Sequence, residues 1–143
     1  MKQTLQPGPY PTTRLLLVIA LSGAGLAVLW TVIRSGWGLE QEVYRGGLIG
    51  LAAAVIAHLA GTLAGAFLAP TQGVLPAYLA STVVRFIATP ALAISLYFLL
   101  PVKPQPLLVG ALMGYLLILV ADIATLMRAT QQPLRSGDGS TSA

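Results

Sequence analysis

Three ionisable side chains, His58, Arg85 and Asp122, stand inside stretches apolar enough to cross a bilayer. A charge at hydrocarbon depth costs roughly 2.5–3.5 kcal/mol on insertion scales and more on others, so each needs a compensating partner. Three arrangements answer that need. Arg85 and Asp122 can form an ion pair inside a helix bundle, with the hydroxyls of Ser81 and Thr82 completing the hydrogen bonding. One of them can face outward, towards a membrane charge on another protein. Or the set, with His58, can line a path for ions. Buried pairs are poor stabilisers and are often kept for another reason, which keeps the second and third arrangements in play. A lone histidine without neighbouring ligands is a weak metal signal. No Ser-His-Asp set, His-rich spacing or phosphate loop is present, so the sequence does not read as an enzyme and implies no cofactor or metal.

The helix that must position Arg85 is Tyr78–Leu100, YLASTVVRFIATPALAISLYFLL. Tyr78, Ser81, Thr82, Arg85 and Thr89 recur at spacings of three and four, which puts them on one polar stripe. Pro90 removes a backbone hydrogen bond and frees the carbonyl of Phe86. The pattern predicts that this helix organises the molecule, its polar stripe towards the other helices and its remaining faces towards lipid.

Composition agrees with a membrane setting. The 143 residues are 56% hydrophobic and 8% charged, and the mean hydropathy is +0.82. A soluble domain carries about 25% charged residues. The pI near 9.9 is no sign of nucleic acid, because the 8 basic residues are scattered singly and read as flanks of membrane spans. The absence of cysteine rules out disulfides and thiolate metal sites.

Four spans are expected, at about 15–33, 46–69, 77–100 and 106–127, in a compact antiparallel all-α bundle between disordered tails at 1–13 and 129–143. The first span follows Arg14 and is too long for a signal-peptide core, and no A-x-A site closes it; it is retained. Between spans one and two, Trp37 and Tyr44 belong at headgroup level, and Glu40 and Glu42, two apart, read as solvated loop charges rather than a catalytic pair. Pro70–Ala77 reads as the turn before the third span. Small residues recur along span two at Gly46, Gly50 and Ala54, again at Gly61 and Gly65, and along span four at Gly110 and Gly114. Such ridges let helix backbones approach closely in lipid. His58 occupies the next rung of the first ladder and so should face a neighbouring helix, bonded to that neighbour's backbone or hydroxyl.

Depth follows from the helical rise of ~1.5 Å per residue. Arg85 lies roughly 12 Å inside the third span and Asp122 about 7–8 Å from the end of the fourth, level enough to pair once arginine's reach is counted. His58 lies slightly deeper, about 16 Å from the end of span two. Four spans place both termini on one side. That side holds Lys2, Arg14, Arg128 and Arg135 against Arg34, Arg45 and Lys103 opposite, a small excess that favours cytoplasmic termini.

With these features the chain resembles the ATP synthase protein I family, small four-span membrane proteins of the bacterial cytoplasmic membrane. The resemblance covers roughly residues 14–128. It rests on the basic approach to span one, the Gly36-Trp37-Gly38 loop leading into Gly46-Gly47-Leu48, the single cation Arg85 in span three, and a proline-bearing turn before an aliphatic span four. The chain departs from the family in having Ser81 and Thr82 where members often have an acid ahead of the cation, and His58 where they often have proline or asparagine. Asp122 has no counterpart in the pattern. The resemblance implies a part in assembling the c-ring of the F-type ATP synthase, with the c subunit as partner and Arg85 as the contact to its membrane carboxylate. It also implies a link to magnesium supply. Set against this is a small ion transporter or channel subunit that uses Arg85, Asp122 and His58.

Overall fold

The computed structural model describes residues 10–131. Within them four helices follow one another: α1 (Thr12–Trp37), α2 (Gln41–Gln72), α3 (Val74–Leu99) and α4 (Pro104–Gln131). All four are long and apolar enough to cross a membrane, and they pack together as an all-α bundle. The protein is a multi-pass membrane protein.

The helices are longer than the apolar runs and the connections correspondingly short. α1 ends on Gly38, whose φ of 63° and ψ of 34° place it in the left-handed region, where its N–H closes onto the carbonyl of Arg34. Only a residue without a Cβ adopts that conformation at no steric cost. Gly73, with φ 85° and ψ 168°, is the whole connection between α2 and α3. The sequence placed a turn over Pro70–Ala77; Pro70 instead lies within the last turn of α2, where it has no N–H to give the carbonyl of Ala66 and the helix ends two residues later, at Gln72. Residues 10–13, expected in a disordered tail, are also placed, with α1 beginning at Thr12. The remainder of the expected tails, 1–9 and 132–143, lies outside the described residues.

The organising helix is α2, not α3. It packs against all three others, whereas α3 and α4 meet only sparingly. The reason is the size of its residues. Gly46, Gly47, Gly50, Ala53, Ala54, Ala57, Gly61 and Gly65 are buried along it, and a helix with so little side chain can be approached closely from several directions. α4 takes the closest seat. A Cβ at Gly50 would strike the carbonyl of Leu107, and one at Gly110 would strike the carbonyl of Gly47. Gly46 faces Pro106, and Gly114 faces Leu51 and Ala54. On α1, Trp30 lays its indole where a Cβ of Gly47 would stand and donates Nε1–H to the carbonyl of Tyr44 at 3.2 Å.

At the membrane face opposite the termini, Lys103 reaches both Glu40 at 3.2 Å and Glu42 at 3.0 Å. Two acids spaced by two share one lysine because Glu40 precedes the first turn of α2, so helical periodicity does not direct it. The hydrogen bonds that Lys103 donates to the Glu42 and Glu40 carboxylates hold its ammonium above the usual lysine range. Arg34 stacks over the ring of Tyr44 at 4.5 Å, joining the end of α1 to the start of α2 at headgroup level.

Candidate functional site: a buried polar layer

The polar stripe of α3 turns inward. Tyr78, Ser81, Arg85 and Thr89 are buried, while Thr82 is half-buried and spends its hydroxyl on the carbonyl of Tyr78 at 3.0 Å. Arg85 is fully enclosed and pairs with Asp122 of α4, also fully enclosed. Its second guanidinium nitrogen donates to the hydroxyl of Thr62 on α2 at 2.8 Å. The depth argument therefore brings together the two residues it matched. The hydroxyl that completes the pair is Thr62, however, and not Ser81 or Thr82. The missed signal was legible: seven residues from Ala69, Thr62 sits about 10 Å deep, between Arg85 and Asp122, and it is the one hydroxyl on the small-residue face of α2.

Gly61 makes the pair possible. A Cβ there would collide with Cγ of Arg85 and stand 2.8 Å from Nε and from the carbonyl of Ser81. The stem of the arginine thus lies across the bare backbone of α2. The Tyr78 ring lies 5.9 Å from the guanidinium carbon, and Thr89 bonds the carbonyl of Arg85 at 2.8 Å. Each contact restricts where the guanidinium can go, and none points it outward to lipid.

His58 is fully buried and packs against Tyr115 of α4, the rings 5.3 Å apart and inclined at 56°. Its Nδ1 lies 2.9 Å from the carbonyl of Ala54. The partner is thus one turn back on its own helix and not on a neighbour, as the ladder had suggested. A carbonyl only accepts, so Nδ1 carries the proton and, in the neutral ring, Nε2 presents a lone pair. Among the described residues no three potential metal ligands converge.

A further residue joins from outside the helices. Tyr10, two positions before α1, places its hydroxyl over Gly65 and towards Ser81, without a hydrogen bond of ordinary geometry between the two hydroxyls. Around the ion pair, six buried polar atoms have no hydrogen-bond partner among the described residues: the hydroxyls of Tyr10, Tyr78 and Ser81, Nε of Arg85, Nε2 of His58 and Oδ1 of Asp122. One unsatisfied buried group costs about 1–3 kcal/mol. Several together reach the scale of a whole folding free energy, about 5–15 kcal/mol. The layer is thus both the most polar part of the bundle and its least satisfied.

Replacing Thr62 by valine removes the hydroxyl at nearly constant shape and leaves one guanidinium N–H of Arg85 without its acceptor. Hydrogen bonds to charged groups are worth about 1.5–3 kcal/mol, so Thr62→Val should lower the stability of the purified protein by that amount. Chemical unfolding in mixed micelles reads it directly. An unchanged midpoint would mean that Thr62 does not hold the arginine.

On the outer side of this layer α3 and α4 diverge. They leave an apolar groove of about 430 Å³ bordered by Phe86, Thr89, Pro90, Ala93, Leu108, Ala111, Leu112, Tyr115 and Leu116. Tyr115 belongs to both groove and layer: it borders the groove, and its ring lies 5.3 Å from that of His58 and 6.4 Å from that of Phe86.

Fold and site together define a four-span membrane protein with a charged pair sealed in its interior. Comparison with protein-family models, curated proteins and solved structures finds no match for this chain.

Proposed function

We propose that the protein is a non-catalytic membrane factor that engages membrane subunits of a larger complex through helix contacts inside the bilayer. Assembly of the F-type ATP synthase c-ring in the bacterial cytoplasmic membrane is the process implied by the sequence resemblance, with both termini in the cytoplasm. The observation that carries this reading is the groove between α3 and α4. α1 already covers the seam between α2 and α4, but among the described residues no helix covers the outer seam between α3 and α4. Its floor includes the small residues Ala93 and Ala111, and small residues are what allow helices to associate where lipid is as apolar as the side chains. A transmembrane helix of the c subunit is the occupant this reading assigns. Arg85 then acts as an internal clamp that sets α3 and α4 on either side of the groove, and its charge reaches the partner only through that geometry.

Affinity purification from native membranes tests the proposal. Wild-type protein should recover c subunit. Leu112→Trp, which adds bulk at a lipid-facing position on the rim, should abolish that recovery while leaving the protein folded. Isolation of the chain by itself, or equal recovery with Leu112→Trp, would overturn it. A second reading, a small ion transporter or channel subunit using Arg85, Asp122 and His58, is favoured by the partnerless polar atoms of the layer. It requires a homo-oligomer of defined size, which size-exclusion chromatography with light scattering detects.

A further inference from the structure

We propose that the polar layer is a water-holding chamber and that Tyr10 is its removable plug, on the membrane face that carries the termini. The inference stands independently of which complex the protein serves. It starts from a slot. Gly65 near the end of α2 and Ser81 near the start of α3 flank the phenol of Tyr10; a Cβ at Gly65 would stand 2.6 Å from its oxygen and 2.9 Å from Cζ. The phenol fits because Gly65 has no side chain. Tyr10 comes from the short segment before α1, tied by the hydrogen bond from Thr12 N–H to its carbonyl at 2.7 Å.

Behind the phenol lies hydrogen-bonding capacity of both signs. Arg85 Nε–H can only donate, and Asp122 Oδ1 and, in the neutral ring, His58 Nε2 accept. The hydroxyls of Tyr78 and Ser81 do either. No two of these groups satisfy each other. A water molecule requires two to four polar partners and can both donate and accept, so water is the ligand whose chemistry matches this set. The inner end is closed by Tyr115 against His58. At the outer end the Tyr10 ring is held by packing against Gly65 and Ser81, with no hydrogen bond of ordinary geometry at its hydroxyl. A side chain held in that way, on a segment outside the helices, opens far more readily than the bundle unfolds. Access to the charged pair therefore runs past Tyr10 and from one side of the membrane.

The chain has no cysteine, so one introduced thiol reports without background. Ser81→Cys places a thiol of nearly the same size beside the plug. Its thiolate attacks a membrane-impermeant methanethiosulfonate, forming a mixed disulfide and releasing methanesulfinate. In sealed vesicles of known orientation, labelling from the terminal side should be slow with Tyr10 in place. It should accelerate by about tenfold or more when Ser81→Cys is combined with Tyr10→Ala, or with Gly65→Ala, which evicts the phenol from the other wall. Tyr10→Phe, which keeps the plug and removes only its hydroxyl, should stay slow. Reagent on the opposite side should gain nothing from any of these changes. Equal rates with and without the Tyr10 ring, no labelling in either, or acceleration from the opposite side would each overturn the proposal.

Discussion

Asp122→Ala should destabilise the protein by about 3–5 kcal/mol, the cost of removing one partner from a buried ion pair. Arg85 has no exposed surface. After the substitution its guanidinium retains Thr62 but has no counter-charge, and a few enclosed waters solvate an arginine far less well than bulk water does. The loss should appear as a lower midpoint in unfolding titrations performed in mixed micelles, with an unchanged slope. The informative companion is the combination of Arg85→Met with Asp122→Leu, which removes both charges and keeps apolar volume. Replacing a whole buried pair in this way is often neutral, or stabilising by about 1–4 kcal/mol, so the double variant should recover most or all of the stability lost in Asp122→Ala. A loss below about 1 kcal/mol in Asp122→Ala, the range of exposed pairs, would mean that Arg85 reaches bulk water or another acceptor. If the double variant is stable but no longer recovers its membrane partner, the pair is retained for function rather than folding.

The second large effect falls on the crossing of α2 and α4. Gly50→Ala places a methyl group against the carbonyl of Leu107, with the amide nitrogen of Ala111 at 2.7 Å from the new carbon. Gly110→Ala meets the backbone of Gly47, whose carbonyl carbon is 2.8 Å and Cα 2.9 Å away. Backbone atoms have no rotamer to change, so the helices themselves must separate. Overpacking of this kind costs about 1–3 kcal/mol, and separation also loosens Gly46 from Pro106 and Gly114 from Leu51 along the same seam. Gly25→Ala is the control, because nothing lies within 4 Å of its added carbon. There the ordinary advantage of alanine over glycine within a helix, about 0.5–1 kcal/mol, should appear undiminished. The ordering is the test: Gly25→Ala at or above wild type, Gly50→Ala and Gly110→Ala clearly below. Equal stability of all three would mean that α2 and α4 do not cross at this distance.

Much of this architecture is local, and local features are legible in a sequence. Four runs of apolar residues define four spans because hydrocarbon thickness fixes their length. The stripe from Tyr78 to Thr89 follows from 3.6 residues per turn, and its inward orientation follows from the expense of polar groups facing lipid. The match between Arg85 and Asp122 needed only the rise per residue and an antiparallel order, quantities common to every helix.

What the sequence could not set is how each helix is rotated and which neighbour it selects. In water an apolar face marks the core. In lipid the outward faces are equally apolar, so α1, α2 and α4 carry little record of which side is covered. The depths of the pair and of Thr62 were therefore readable, while the bond from Arg85 to Thr62 depended on the rotation of α2. The assignment of α3 as the organising helix rested on its polarity, but the tertiary structure made α2 the hub because close backbone approach depends on bare glycine surfaces meeting in register. Tyr10 is the extreme case. Nothing in a proline-rich leading segment distinguishes it, and its place follows only from the slot that Gly65 and Ser81 form once α2 and α3 are packed. Sequence alone determined the number of spans, their order and the depth of their charges, all set by one-dimensional spacing; rotation, neighbour choice and enclosure were decided by the packing of backbones against one another.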